Sequence, residues 1–98
     1  MMRSFAELFK KYRLKAHFTN LSELADALSE KGCMYDPSII SHWQRGKRIP
    51  SRRRVLVTLL TLFYERGAIR SLDEANELLE SAEHGYLTKR EQENLFDN

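Results

Sequence analysis

Residues 36–56 read DPSIISHWQRGKRIPSRRRVL, and this stretch decides how the whole chain is interpreted. Asp36 followed by Pro37 is a strong helix start, because Asp accepts from free backbone amides and Pro has its φ angle already set. The spacing predicts a short helix from Pro37 to about Arg45 that is ended by Gly46. Its apolar face consists of Ile40 and Trp43 with Ile39 at the edge, and its polar face of Ser38, Ser41, His42 and Arg45.

A second helix start coincides with three consecutive arginines, residues 52–54. Because Ser51 precedes them and the apolar run VLVTLLTLF comes after them, a helix with Ser51 as its N-cap is predicted from Arg52 to about Arg66. This helix is so broadly apolar that it should be the buried centre of the fold. A helix start carries partial positive charge and disfavours each cation by roughly 0.3–1 kcal/mol. A bound phosphate would neutralise these arginines, so their position favours nucleic-acid binding.

Two helices are predicted before this stretch. Apolar residues spaced by three and four indicate a first helix that begins after Ser4 and ends near Lys15. Asn20 then opens a second helix as part of a capping box with Glu23, and Gly32 can end it.

Two more helices are predicted after it. A capping box at residues 71–74 opens a fifth helix with Gly85 beyond its end, and a box at residues 88–91 opens a sixth. Since no segment alternates with period two, the fold class is predicted to be all-α with five to six helices. We expect one domain over 1–98, with a core at about 3–67 and a helical extension at 68–98.

Composition limits the function classes. The net charge is only +2, but residues 1–70 carry fourteen Lys and Arg against six Asp and Glu, while residues 71–98 carry two against eight. A basic body indicates a polyanionic partner. The N-terminus lacks the continuous apolar core of a signal peptide and no segment is long enough to span a membrane, so we expect a cytoplasmic protein. Cys33 is the single cysteine, which excludes an internal disulfide.

The segment from Asn20 to Phe63 resembles the Xre family of DNA-binding domains, whose founding members are the lambda-type phage repressors. The resemblance lies in Leu24-Ala25 of the second helix, in Ile40 and Trp43, and in RGKR at 45–48 with PS at 50–51. The connection SEKGCMY before Asp36 is longer than the corresponding connection of the family. The tail ANELLESAEHGYLTKREQENLF is similar to the segment after such a domain in the N-terminal regions of some large bacterial signalling ATPases.

The resemblance implies a lambda-repressor-like helix-turn-helix bundle that binds double-stranded DNA with the 37–45 helix in the major groove. The base-contacting residues that it implies are Pro37, Ser38, Ser41, His42 and Arg45. The phosphate-contacting residues are Asn20, Lys47, Arg48, Ser51, Arg52 and Arg53, with Arg45 as a further candidate. Five cationic phosphate contacts predict a slope of log K against log salt of roughly −4 to −5 per subunit.

The function predicted from these residues is that of a sequence-recognising transcriptional regulator, working as a homodimer. The alternative is a protein-interaction module with the same fold, or the N-terminal domain of a larger signalling protein with an effector domain or partner protein. We expect no enzymatic activity, metal or cofactor, because no catalytic or metal-ligand spacing is present.

Two further alternatives concern the ends of the chain. The basic face of the first helix (Lys10, Lys11, Arg13, Lys15) is either a solvated surface or part of the DNA-binding body. The fifth and sixth helices either form the dimer contact or complete the core through Leu78, Leu79, Leu95 and Phe96. If the arginines serve phosphate alone, Arg52→Glu with Arg53→Glu should abolish DNA binding without lowering the melting temperature.

Overall fold

The computed structural model describes residues 3–96, and in this range the chain forms helices and turns but no strand. The six helices are α1 (Phe5–Lys15), α2 (Leu21–Glu30), α3 (Pro37–Gln44), α4 (Arg53–Glu65), α5 (Leu72–Ser81) and α6 (Lys89–Phe96). The predicted all-α class with five to six helices is therefore confirmed. The predicted domain 1–98 also includes residues 1, 2, 97 and 98, which lie outside the described residues.

Side-chain caps begin most of the helices. In α1, α2, α3 and α5 the cap accepts a hydrogen bond of 2.9–3.2 Å from an amide two or three residues ahead, and the caps are the predicted Ser4, Asn20, Asp36 and Ser71. At α6 the Thr88 hydroxyl accepts from the Glu91 amide, and the Glu91 carboxylate accepts from the Thr88 amide at 2.9 Å. This reciprocal pair is the predicted capping box. In the box at Asn20, the Glu23 carboxylate instead accepts from Thr19.

The start of α4 differs from its prediction. Arg52, not Ser51, occupies the N-cap position, and the helix begins at Arg53. Arg52 has the extended backbone of an N-cap (φ −88°, ψ 126°) but has no acceptor group, and no side chain caps the first turn. The predicted cap at Ser51 is therefore wrong by one residue, and α4 is left with open amides at its start.

Left-handed residues end five of the described helices. Gly32 and Gly46 have φ angles of 90° and 75° as predicted, while His17 and Glu83 adopt φ angles of 63° and 62° after α1 and α5. Gly85 lies beyond the end of α5 as predicted, but the left-handed residue of this turn is Glu83, two residues earlier. A non-glycine residue there costs about 1 kcal/mol, which the surrounding contacts offset.

Helix α4 is broadly buried, as predicted, but it shares the centre of the core with α1, which also packs against three other helices. Helices α1, α2 and α6 pack against α4, α3 packs on α1 and α2, and α5 packs on α1. Aromatic rings join the layers, since Phe9 of α1 lies 6.4 Å from Phe63 of α4 and 6.2 Å from Trp43 of α3, between ring centroids. Ile40 and Trp43 are buried, so their predicted place in the core is confirmed.

Arg13 does not belong to a solvated face. It is 6% exposed, and its guanidinium donates to the Gln44 side chain at 2.8 Å and to the Phe18 carbonyl at 2.6 Å. These bonds tie α1 to the end of α3 and to the loop before α2. A buried arginine needs such partners, so its role is structural.

The extension completes the core of this chain. Leu78, Leu79 and Leu95 are each 5% exposed or less, and Phe96 packs edge-on against Tyr64 of α4 at 5.1 Å. Of the two alternatives for these residues, core completion is the one that the structure shows.

Candidate nucleic-acid interface

The polar face of α3 is only partly open to solvent. Pro37 and Ser38 at the start of the helix and Arg45 at its end are exposed, whereas Ser41 and His42 are half-buried. All five predicted base-contacting residues therefore lie on or next to this helix, but its ends are the most accessible parts.

His42 faces inward with one of its ring nitrogens. Its Nδ1 atom is buried and has no hydrogen-bond partner among the described residues. The His42 carbonyl accepts from the amides of Lys47 and Arg48, at 2.9 and 3.3 Å, and so shapes the loop after α3. Of the two ring nitrogens, only Nε2 is available to contact a base edge. The predicted base contact of His42 therefore depends on this one atom.

Carboxylates surround the start of α3. Asp36 caps the helix, and the hydrogen bond from the Ser38 amide lowers the pKa of its carboxyl group. Asp26 and Asp36 both line an open groove of about 400 Å³ beside Pro37. The start of α3 is therefore locally negative, and this favours its end, rather than its start, as the place where phosphate would lie.

The Asn20 side chain is already in use. Its Oδ1 atom accepts from the Glu23 amide at 2.9 Å, and the Glu23 carboxylate lies in the same turn. A phosphate at this helix start would have to displace the cap and meet the carboxylate. A phosphate contact at Asn20, as predicted from the sequence, is therefore electrostatically unfavourable.

The region from the end of α3 to the start of α4 carries exposed cations that lack acidic partners. The ion pairs within residues 3–96 are Lys31–Glu65 and Arg53–Glu91, and neither uses the other cations of this region. We call these cations the open cluster, which consists of Arg45, Lys47, Arg48, Arg52 and Arg54. Arg54 was not among the predicted contacts, although its place in the run of three arginines at 52–54 could have suggested it.

The open first turn of α4 adds backbone donors to the open cluster. The first amides in this helix that bond to a carbonyl are those of Val55 and Leu56, which both donate to Arg52. The amides of Arg53 and Arg54 have no such acceptor among the described residues. Free amides and the helix dipole together make a helix start attractive to anions.

Arg53 is the clear exception among the predicted phosphate contacts. Its Nε and Nη2 atoms donate to the two carboxylate oxygens of Glu91 at 3.1 and 2.7 Å. The same guanidinium donates to the carbonyls of Gly85 and Tyr86 at 2.6 and 3.0 Å. The hydrogen bond from Arg53 lowers the pKa of Glu91 to about 2. The prediction that Arg53 contacts phosphate is therefore corrected: its donors hold the extension on α4.

This partner was not visible in the sequence because Glu91 lies 38 residues away. The Glu91 side chain serves two helices, since it also accepts from the Thr88 amide at the start of α6. We call Arg53, Gly85, Tyr86 and Glu91 the clasp.

An open groove of about 500 Å³ lies between the α2–α3 connection and the first turn of α4. Its floor includes Trp43 and Val55, and three members of the open cluster, Arg48, Arg52 and Arg54, line it. We call it the arginine groove. The groove could not be predicted from the sequence, because it depends on where the long α2–α3 connection lies. Cys33 of this connection is buried, and its Sγ atom lies 3.6 Å from the hydroxyl of Thr58 on α4.

Residues 3–96 hold no group of three or more His, Cys, Asp or Glu side chains placed to bind a metal ion. In the same range, every helix is too short or too polar to cross a membrane. Comparisons with models of protein families, with curated proteins and with solved structures give no match.

Proposed function

We propose that this protein binds double-stranded DNA as a transcriptional regulator, with α3 in the major groove. The observation that carries the proposal is the open cluster, in which five exposed cations without acidic partners come directly after a short, capped helix. A solvated surface would be expected to contain both signs of charge. A continuous cationic region beside a polar helix instead matches the charge and shape of a duplex.

Base recognition in this arrangement is modest. Ser38, Ser41 and the Nε2 atom of His42 can each donate or accept one hydrogen bond, and the ring of Pro37 can meet a thymine methyl group. Arg45, directly after α3, can contact either a guanine edge or a phosphate, and we assign it to the phosphate contacts. We therefore expect affinity to depend on phosphate contacts more than on base contacts.

The phosphate contacts that we propose are Arg45, Lys47, Arg48 and Arg52, with help from the open amides of α4. Because Arg53 is held in the clasp, one contact is removed from the five expected from the sequence. Four contacts at about 0.9 each predict a slope of log K against log salt of roughly −3 to −4 per subunit.

We further propose that two chains bind a two-fold DNA site, since one short recognition helix gives limited affinity. The leucines of α5 and α6 are used within the monomer, so the pairing surface would have to include exposed apolar residues such as Leu72. Analytical ultracentrifugation with and without a duplex would show whether a second chain is recruited.

The test of DNA binding is a fluorescence anisotropy titration of duplex DNA over a series of salt concentrations. Arg48→Gln with Arg52→Gln should weaken binding about tenfold or more at moderate salt and reduce the salt slope by about 1.8. Lys89→Gln with Arg90→Gln is the matched control, because it removes the same net charge from exposed positions on α6. Absence of binding at low salt, or an equal effect of both double variants, would contradict the proposal.

The second candidate function is a protein-interaction module. It is favoured by exposed apolar side chains beside the open cluster, namely Met34 at 82%, Ile49 at 40% and Ile39 at 37% exposed. A methionine side chain in this position offers no hydrogen bond or charge to a duplex, so DNA binding does not explain its exposure. This candidate would replace the first if DNA binding is absent at low salt while the folded state is intact.

A further inference from the structure

The arginine groove combines an apolar floor with a cationic rim. Trp43 and Val55 form buried parts of its surface, and the ring of Tyr35 meets Trp43 edge-on at 5.2 Å between centroids. Ile39 and Ile49 add partly exposed apolar surface. The groove therefore presents apolar surface that a ligand could remove from water.

The charge in this groove has one sign. The guanidinium groups of Arg48, Arg52 and Arg54 line it, and no Asp or Glu does. The two ion pairs found within residues 3–96 leave these three arginines out. Three cations around one groove repel one another, and an anion bound among them would relieve this repulsion.

The open start of α4 lies next to the groove. Arg52, at the N-cap position of α4, lines the groove, and the open amides of Arg53 and Arg54 come directly after it. The Arg54 side chain reaches the α2–α3 connection, since a Cβ atom on Gly32 would lie 2.8 Å from its Nη2 atom. Its guanidinium therefore lines the groove and can pair with a carboxylate bound there.

We infer that the arginine groove binds a small amphipathic anion, a carboxylate that bears an aromatic ring or a short alkyl chain. The carboxylate lies against Arg52, Arg54 and the open start of α4, and the apolar part lies against Ile39, Ile49 and Tyr35. A simple inorganic anion leaves the apolar surface uncovered, and a neutral apolar molecule leaves the arginines without a partner. The amphipathic anion satisfies both.

Such a ligand would compete with DNA, because Arg48 and Arg52 are also proposed phosphate contacts. This consequence rests on the proposed function, whereas binding of the anion does not. A ligand that occupies these arginines would release the protein from DNA, and the groove would act as the site of a small-molecule signal.

The test uses 3-phenylpropionate as the probe and the fluorescence of Trp43, the single tryptophan of the chain, as the signal. We expect a saturable change with 3-phenylpropionate, and at least about tenfold weaker binding of the neutral 3-phenylpropan-1-ol and of inorganic phosphate. Amide chemical shifts from ¹⁵N NMR should move at Gly32, Cys33 and Arg54, which place the ligand in the groove.

Variants of the rim separate charge from shape. Arg52→Gln with Arg54→Gln should weaken 3-phenylpropionate binding about tenfold or more, while Arg54→Lys, which keeps the charge, should change it less than about threefold. Lys89→Gln with Arg90→Gln should leave binding unchanged. Thermal melts of each variant establish that the fold is intact.

Three results would overturn the inference: no saturable signal, equal affinity for the carboxylate and the alcohol, or equal affinity of the rim variant and the control. The outcome is independent of DNA binding. If 3-phenylpropionate binds and duplex DNA does not, the proposed function fails and the groove stands. If DNA binds and the probe does not, the reverse holds.

Discussion

Arg52 and Arg54 belong to one side of the first turn of α4, and Arg53 to the other. Arg52 and Arg54 line the arginine groove, whereas Arg53 makes four hydrogen bonds in the clasp. Arg52 precedes the helix and has an extended backbone, and Arg53 and Arg54 are the first helical residues, about 100° apart around the axis, so the three side chains can face different surroundings. The run of three arginines thus contains two kinds of residue: one cation holds the fold together, and the other two have no partner within the described chain. The first kind should matter for stability and the second for binding.

The largest expected effect is on stability when Arg53 is replaced. Arg53→Gln should lower the free energy of unfolding by about 2 kcal/mol, because it removes a charged, multidentate contact that is about one-third exposed. The melting temperature should fall by roughly 8–16 °C for a domain of this size. Arg52→Gln, in contrast, should change it by no more than about 0.5 kcal/mol.

Urea melts of the two single variants measure this difference. Equal stabilities for Arg53→Gln and Arg52→Gln would remove the distinction between the two sides. In place of the sequence prediction that Arg52→Glu with Arg53→Glu does not lower the melting temperature, we expect a fall, because Arg53→Glu would place a second carboxylate beside Glu91.

The clasp should also produce a defined dependence of stability on pH. The pKa of Glu91 is about 2 in the folded protein, below its ordinary value of about 4.3. A lowered carboxyl pKa stabilises the fold above the unfolded pKa, and this contribution is lost as the pH falls through the folded pKa. Glu91→Gln should therefore be about 1–2 kcal/mol less stable at neutral pH, a figure reduced for the part of the pair that water reaches.

As the pH falls from about 5 to about 2, the stabilities of the wild type and of Glu91→Gln should converge. Urea melts at several pH values measure the gap. A gap that stays constant over this range would mean that the Glu91 carboxylate has no charge-dependent role.

On the groove side, a side chain at Gly32 should destabilise the fold and move Arg54. Its φ angle is 90°, and a Cβ atom would lie 2.8 Å from the Nη2 atom of Arg54. Gly32→Ala should cost about 1–2 kcal/mol through the left-handed backbone. It should also displace Arg54, so that 3-phenylpropionate binding weakens. Unchanged probe affinity in a folded Gly32→Ala protein would show that the position of Arg54 is unimportant.

The smallest expected effect concerns Gly85 on the clasp side. Only its carbonyl takes part in the clasp, its φ angle is not in the left-handed range, and a Cβ atom would have no neighbour within 4 Å. Gly85→Ala should therefore keep the clasp and stabilise the fold by about 0.5 kcal/mol, through a lower entropy of the unfolded chain. Thermal melts would reveal the change, and a loss of stability would indicate that the loop needs glycine there.

Local signals predicted the helices well. Cap residues such as Asn20 and Asp36 act within one turn, so the sequence alone contains the information for most starts, and Gly32 and Gly46 mark two of the ends. The predicted N-cap at Ser51 was wrong because sequence patterns locate a helix start only to within about one or two residues.

The missed features depend on distant partners. Arg13 and Gln44 are 31 residues apart, and Arg53 and Glu91 are 38 apart. These contacts depend on how the helices pack, which cannot be derived from the spacing of residues along the chain. The candidate site was predicted only in part. The sequence identified the cations near the start of α4, but it did not show that Arg53 is bound to Glu91.

The hydrogen bonds of Glu91 also affect the order in which parts of the molecule unfold. Its carboxylate accepts hydrogen bonds from the Thr88 amide at the start of α6 and from Arg53 at the start of α4, so fraying of α6 from Phe96 cannot pass Glu91 without loosening both helix starts. Hydrogen exchange should therefore show these two helix starts opening as one cooperative unit. A proteolytic cut or truncation before residue 91 would remove the partner of Arg53 and loosen the first turn of α4. Loss of α6 would therefore alter the proposed binding surface.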